Sequence, residues 1–284
     1  MEQTLIINSK SNEKVKFVKS LNDKKFRVKN EAFYLEGIKV VYEVLSKEKA
    51  IDVMFIAYSD EILNKTKQGI EALKKLNNKK YNDIKKYNFS EAAFDFMCDT
   101  VTPQGILVVL KTKKVTLENL IEDATNKNQN LLIVDKVQDA GNLGTIIRTA
   151  NAFDINNIIC IDGTVDVYSQ KVLRSTMGTV LTTNIVYVSD NMIQELKKEL
   201  NQNKFVITVT SLESKKYLED LEYGNNKYAF VLGNEANGVS EKMINAADEQ
   251  IKIRMNNNVE SLNVSIASGI LLYDQYKNKP EIKM

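Results

Sequence analysis

Five short apolar runs in the carboxyl-terminal part of the chain constrain its fold more than any other feature. The first reads LLIV at residues 131–134, and the others lie at 158–161, 185–188, 205–209 and 229–232. Strands without polar alternation are typical of parallel sheets that are buried on both faces. Helical segments separate most of the runs, so we predict an α/β unit in which helices cover both faces of a parallel sheet.

The amino-terminal part also alternates helix and strand. Helical patterns at 12–29, 38–46 and 61–76 alternate with strand patterns at 33–37, 53–58 and 106–110. A polar stretch and a helix-like segment follow before the first apolar run. We therefore predict a first domain at residues 1–112, a linker at 113–128 and a second domain at 129–284.

Residue types that are missing or rare exclude several classes of function. The 284 residues contain no histidine, which excludes Ser/His/Asp and Cys/His catalysis and imidazole metal ligands. The two cysteines, Cys98 and Cys160, are too few for a disulfide framework or a zinc site. No run reaches the roughly 18 apolar residues of a membrane-spanning helix, and the amino terminus does not resemble a signal peptide. We expect a cytoplasmic protein that needs no metal and no membrane.

Positive charge is concentrated in the amino-terminal part. Residues 1–112 carry 20 Lys and Arg against 15 Asp and Glu, whereas residues 113–284 carry 19 against 22. Eight basic residues and only two acidic ones lie between Lys10 and Lys29. Such a strip would bind a phosphate backbone through counterion release, with Lys24, Lys25 and Arg27 as candidates, although it is also compatible with a solvated helix face.

Three segments in the second part combine glycines with polar residues next to an apolar strand. The first, residues 135–150, contains Asn142 as a candidate helix cap and Arg148 four residues after Gly144. Its glycines do not form the G-x-G-x-x-G fingerprint, which disfavours a nucleotide-dependent dehydrogenase. The second, residues 230–240, contains Gly233 and Glu235, where a backbone could approach a ligand closely.

The third segment, residues 251–265, leads into an apolar helix. Ser261 is a candidate cap for that helix, and Asn263 would lie in its first turn. Ser265, Ser268 and Gly269 are small, which predicts close packing of this helix against another element.

In this order, the three segments resemble the three motifs of the SpoU/TrmH family of RNA ribose methyltransferases, within the SPOUT superfamily. Residues 171–178 and 210–213 are similar to further family segments, and residues 33–37 and 103–105 are similar to the family's substrate-binding domain. The resemblance implies a small ribosomal-protein-like α/β domain followed by a parallel sheet with a carboxyl-terminal trefoil knot. It also implies a homodimer that binds RNA and uses S-adenosylmethionine as cofactor.

The resemblance also implies site residues by matching position. The implied cofactor contacts are Gly233, Ile253, Leu262 and Thr210. The implied catalytic residues are Arg148, Asn142, Glu235, Ser261 and Asn263, and Arg174 is a further candidate for RNA binding. Arg148 either positions a phosphate, stabilises the developing alkoxide or acts as the base, and we hypothesise that Asn142 and Glu235 hold its guanidinium.

The chain departs from the family pattern at three positions. Ala140 and Arg254 stand where proline is usual, and Asn257 stands where glycine is common. Arg254 is either an added phosphate contact or a surface residue.

The sequence indicates the reaction more clearly than it indicates which RNA is methylated. The amino-terminal domain favours ribosomal RNA of the large subunit over transfer RNA. A non-catalytic protein for RNA binding or ribosome assembly is the remaining alternative, and cofactor binding would distinguish it from an enzyme.

Overall fold

The structure is a computed structural model that describes residues 5–46, 51–224, 226–256, 258 and 260–278. Within these residues, no helix is long and apolar enough to cross a membrane. They divide into two compact units. The first takes the chain up to Lys113 together with Tyr168–Leu181, and the second takes Lys114–Val167 and the chain from Thr182 onward.

The first unit contains a mixed five-stranded sheet. Strand β5 (Ile106–Lys111) lies between β3 (Val53–Tyr58) and the edge strand β2 (Ala32–Glu36), runs antiparallel to both, and is buried over five consecutive residues. Fully buried Tyr34, Phe89, Phe94 and Leu107 lie in its main core. The strands are β1 (Ile6–Ile7), β2 (Ala32–Glu36), β3 (Val53–Tyr58), β4 (Lys86–Phe89) and β5 (Ile106–Lys111), in the order β1-β4-β3-β5-β2.

Among the residues described up to Lys113, six helices belong to this unit, and a seventh joins it from later in the chain. The single helix predicted at residues 12–29 is wrong, because the chain turns after Leu21 and Asp23 caps a new helix through a bond from the Lys25 N–H, 2.8 Å. The helices are α1 (Glu13–Ser20), α2 (Lys24–Asn30), α3 (Ile38–Ser46), α4 (Asp60–Leu63), α5 (Lys67–Leu76) and α6 (Glu91–Met97).

The second unit confirms the predicted parallel sheet with helices. Its six strands are all parallel, in the order β11-β9-β10-β6-β7-β8. The strands are β6 (Leu131–Asp135), β7 (Asn157–Ile161), β8 (Asn184–Val188), β9 (Phe205–Thr210), β10 (Lys227–Leu232) and β11 (Glu249–Ile251). The helices of this unit are α7 (Leu117–Asn126), α8 (Ala140–Ala152), α10 (Ile193–Gln202), α11 (Glu241–Ala246) and α12 (Val264–Lys277). Helix α9 (Gln170–Thr176) lies between α8 and α10 in the chain but belongs to the first unit.

The order of these strands positions the site. The chain builds β6, β7 and β8 in one direction and then returns to place β10 on the other side of β6. In open parallel sheets, ligands bind beyond the carboxyl ends of the strands where the order reverses. That point lies between β6 and β10, so the loops that follow these two strands should form the site.

Two domain boundaries differ from the prediction. The predicted linker at 113–128 contains α7, whose Leu120, Ile121 and Ala124 are buried in the core of the second unit. The segment Tyr168–Leu181, which includes α9, belongs to the first unit because it packs on β2 there. Helix α7 is amphipathic, and a solvated linker would leave its apolar side chains exposed. Because they are buried, this segment is part of the second unit.

Candidate active site

A cavity of about 340 Å³ lies at the carboxyl ends of β9 and β10. Three chain segments form its wall, and all four residues predicted to contact the cofactor lie in that wall, namely Thr210, Gly233, Ile253 and Leu262. Ser261 and Glu235, two of the predicted catalytic residues, also line it. Backbone and aliphatic groups make up much of the lining, as is usual for a small-molecule site.

The loop after β10 is tightly folded and leaves no room for a side chain at Gly233. A Cβ atom there would lie 2.2 Å from the backbone of Gly238 and of Val239. Backbone hydrogen bonds of 2.8 and 2.9 Å join Asn234 and Gly238 in both directions. The Asn234 side chain donates to the Lys136 carbonyl at 2.8 Å, so this loop is fixed to the loop after β6.

A hydrogen-bonded network joins three of the predicted catalytic residues. The Asn142 Nδ2 donates to Glu235 Oε1 at 2.9 Å, and the Asn263 Nδ2 donates to Asn142 Oδ1 at 3.1 Å. Glu235 also accepts the backbone N–H groups of Gln138 and Asp139, both at 3.2 Å. The three loops that carry the sequence motifs are thereby connected through their polar side chains.

These bonds set the ionisation of Glu235. Partial burial raises its pKa, but the bonds from the Asn142 side chain and from the backbone N–H groups outweigh that effect, so the pKa lies below its ordinary value. Glu235 is therefore a carboxylate at neutral pH. In that form it can only accept hydrogen bonds, which matches the donors around it.

Two predicted helix caps are wrong by two or three residues. Asp139, not Asn142, caps α8, and it accepts the Asn142 N–H at 2.8 Å. Asn263, not Ser261, caps α12, and it accepts the Ser265 N–H at 2.9 Å. Because the caps are Asp139 and Asn263, the Asn142 side chain is available to bind Glu235.

Arg148 lies on the exposed face of α8, whereas Gly144 on the same helix is buried. Within the described residues its guanidinium makes no hydrogen bond or ion pair, which contradicts the hypothesis that Asn142 and Glu235 hold it within one chain. Those two side chains are bonded to each other instead. Arg148 is thus an exposed cation.

The four residues predicted to bind RNA differ in their surroundings. Lys24 and Lys25 are exposed on α2. Arg27 is 5% exposed and donates to the Leu21 carbonyl at 2.7 Å, so its assignment as a surface contact for RNA is wrong. Arg174 pairs with Asp99 at 2.9 Å within the first unit. The basic composition of residues 10–29 predicted that Arg27 is exposed. Its position on α2 instead turns the side chain towards the interior.

Two residues at the site were not predicted. Asp135 ends β6 fully buried, and its carboxylate accepts the Ser240 N–H at 2.6 Å. Asn234 fixes the loop after β10 as described above. Each is a polar residue within two positions of the end of an apolar run, and that position could have indicated both. Among the described residues, no group of three or more Cys, Asp or Glu could hold a metal ion.

Comparisons with known proteins identify the family of the chain. The SpoU rRNA Methylase family model matches residues 129–273, and a model of the MRM3-like substrate binding domain matches residues 12–108. The 23S rRNA (guanosine(2553)-2′-O)-methyltransferase RlmP of Bacillus subtilis is 30% identical over 94% of this chain and 97% of its own length. The putative TrmH family tRNA/rRNA methyltransferase YacO of the same organism is 26% identical over 87% of this chain and 96% of its length.

Solved structures share the fold. An rRNA methyltransferase from Sinorhizobium meliloti superposes with a TM-score of 0.80 at 22% identity, covering 98% of this chain and 100% of that one. A putative RNA methyltransferase of the TrmH family from Porphyromonas gingivalis superposes with a TM-score of 0.77 at 24% identity, covering 95% and 99%. The resemblance seen in the sequence motifs is confirmed, and the chain belongs to the SpoU rRNA methylase family.

Proposed function

We propose that this chain transfers the methyl group of S-adenosylmethionine to a ribose 2′-hydroxyl of large-subunit ribosomal RNA. One observation carries the proposal: the network of Asn142, Glu235 and Asn263 lies beside the cavity and joins the three loops that carry the family's motifs. A protein that only binds RNA does not need this network. The RlmP relative, which matches nearly the whole chain, supports ribosomal RNA as the substrate.

The residues around the cavity fit the cofactor. The missing side chain at Gly233 lets the two ends of the loop after β10 approach closely at the wall, where N–H and C=O groups can bind a nucleoside. Thr210, Ile253 and Leu262 complete the wall with one hydroxyl and two aliphatic side chains. The cofactor supplies an electrophilic methyl group on a sulfonium, so the chain must orient the ribose oxygen and assist its loss of a proton.

Arg148 is the residue that we assign to the ribose and its phosphate. An arginine stays protonated, so it stabilises developing negative charge on the oxygen or holds a phosphate more readily than it removes a proton. Glu235 and Asn263 hold the Asn142 side chain, and Ser261 is exposed at the wall of the cavity. In this assignment Asn142 and Asn263 orient the reacting groups.

The proposal is tested by replacing Arg148 with alanine. We expect methyl transfer to fall by at least about a hundredfold, as when one stabilising donor is lost, while calorimetry gives an affinity for S-adenosylmethionine within about twofold of wild type. Lys198→Ala, which removes an exposed cation on α10, serves as the control and should behave as wild type. Full activity of Arg148→Ala would contradict the assignment.

Two alternatives to this function can be distinguished by experiment. If the wild-type chain binds no S-adenosylmethionine at millimolar concentration, the non-catalytic RNA-binding protein is favoured. Mapping ribose methylation in cells with and without the gene distinguishes a transfer RNA target from a ribosomal one.

We also infer the assembly and the topology implied by the family. The described residues 252–255 and 260–262 lie between β11 and α12, and several of them line the cavity at the ends of β9 and β10, while α12 packs on α8. This arrangement supports the trefoil knot. The outer face of α12 is apolar and exposed, which supports a homodimer. The mixed sheet of the first unit supports a ribosomal-protein-like domain, and a ribosomal RNA substrate supports a cytoplasmic location.

A further inference from the structure

A second, more polar cavity of about 260 Å³ opens beside the first one. The two share Lys252, Ile253 and Met255 among their lining residues, so they are neighbouring parts of one depression. The second cavity also reaches Tyr217, in the segment between β9 and β10. We call it the Tyr217 cleft.

Two cations lie against the Tyr217 ring: Lys252 lines the cleft, and Arg254 contacts the ring without being among the residues that line the cleft. The Arg254 guanidinium is 4.1 Å from the centre of the Tyr217 ring, and the Lys252 ammonium is 4.9 Å from it. Backbone bonds fix the position of the ring, since the Leu218 N–H donates to the Lys252 carbonyl at 2.9 Å and the Lys252 N–H donates to the Lys216 carbonyl at 3.0 Å. The cations therefore project from a defined platform.

Over the residues described, neither the Arg254 nor the Lys252 side chain donates a hydrogen bond. The Arg254 Nε forms an ion pair with Glu219 at 3.9 Å, which is too long for a hydrogen bond. Glu260 lines the cleft together with Lys252, so the wall contains one cation and one carboxylate. An arginine stacked on an aromatic ring offers a flat surface to a base and N–H donors to a phosphate.

We propose that the Tyr217 cleft binds the RNA strand beside the methylated nucleotide, with Arg254 and Lys252 on a phosphate and the Tyr217–Arg254 stack against a base. This inference rests on the proposed function. The first cavity has the size and the lining of a cofactor site by itself, which leaves the adjoining cleft for the second reactant. That reactant is a polyanion with planar bases, the class of ligand that this pair of cations and ring recognises.

The test compares Arg254→Ala with wild type in binding and in catalysis. The probe is large-subunit ribosomal RNA from cells that lack the gene, bound at several salt concentrations and then methylated with labelled S-adenosylmethionine. We expect RNA affinity to fall and the KM for RNA to rise about tenfold, the scale of one lost stacking or phosphate contact, with kcat nearly unchanged. The slope of log affinity against log salt should decrease by about 0.7 for one lost single-strand phosphate contact.

Variants at Tyr217 distinguish a contribution of the aromatic ring to RNA binding from a contribution of positive charge alone. Tyr217→Leu should weaken RNA binding, and adding it to Arg254→Ala should cost less than the sum of the two single changes. Tyr217→Phe retains the ring and should bind RNA as wild type does. Lys198→Ala on α10 is the control for the loss of one positive charge.

Two results would overturn the inference. One is unchanged RNA affinity in Arg254→Ala. The other is a parallel loss of affinity for S-adenosylmethionine in calorimetry, which would assign the cleft to the cofactor. If the wild type binds the RNA without methylating it, the proposed function fails, while the binding comparison still tests the cleft.

Discussion

At the scale of single residues, Glu235 connects the loops of the candidate site. Its carboxylate accepts one side-chain and two backbone N–H groups, and no neutral side chain of the same size can accept all of them equally well. Its importance could be predicted from the motif, but its partners could not. Which N–H groups face a carboxylate depends on how two distant loops meet.

Replacing Glu235 with glutamine tests this role. We expect methyl transfer to fall about tenfold, because a charge-assisted hydrogen bond is weakened and the amide N–H₂ faces donors. Activity with S-adenosylmethionine and ribosomal RNA measures the change. Glu195→Gln, on the exposed face of α10, is the control and should retain activity.

The same variant predicts a difference in acid stability. The pKa of Glu235 in the folded chain lies below its ordinary value of about 4.3. Its carboxylate therefore contributes stability that is present above about pH 4.3 and is lost as the pH falls through the lowered pKa. In thermal unfolding between pH 3 and 7, Glu235→Gln should lose less stability on acidification than wild type. Equal losses would mean that the carboxylate is not coupled to folding.

At the scale of elements, the loop after β10 depends on Gly233. A methyl group there would overlap the backbone of Gly238 and Val239, at 2.2 Å, and this backbone cannot move without opening the loop. We expect Gly233→Ala to weaken S-adenosylmethionine binding at least tenfold in calorimetry and to destabilise the chain by about 1–3 kcal/mol.

A second glycine provides the matched control for this substitution. At Gly269 on α12, an added Cβ would meet only the Thr149 Cγ2 at 4.0 Å, which is an ordinary contact. Gly269→Ala should therefore retain cofactor binding. Similar losses in both variants would show that the effect of Gly233→Ala is not specific to the cavity wall.

At the scale of the whole molecule, the outer face of α12 predicts self-association. Ile266, Ile270, Tyr273 and Tyr276 recur at helical spacing and are 38–56% exposed, and Phe153 packs against both tyrosine rings. An exposed apolar stripe of this kind is typical of an interface, and in a twofold dimer the same stripe would meet its copy.

Sedimentation or light scattering tests this interface. The wild-type chain should be a dimer, and Ile270→Asp should shift it to a monomer because each interface would bury two new carboxylates. Val101→Asp changes a fully exposed residue of the first unit and should remain a dimer. A dimer in the Ile270→Asp variant would exclude this face as the main contact.

The apolar runs by themselves determined the parallel sheet and the positions of five of its six strands among the described residues, because a strand buried on both faces is apolar along its length. The sixth strand, β11, has the sequence EQI and no such run, so it could not be predicted in this way. Local pattern also located the motif loops, since glycines and polar residues interrupt those runs. Only the tertiary structure decided that Arg27 points inward, that residues 168–181 pack with the first unit, and that Asp139 and Asn263 are the helix caps. The network of Asn142, Glu235 and Asn263 is likewise tertiary, because its members are far apart in the chain and meet only where the strand order reverses between β6 and β10.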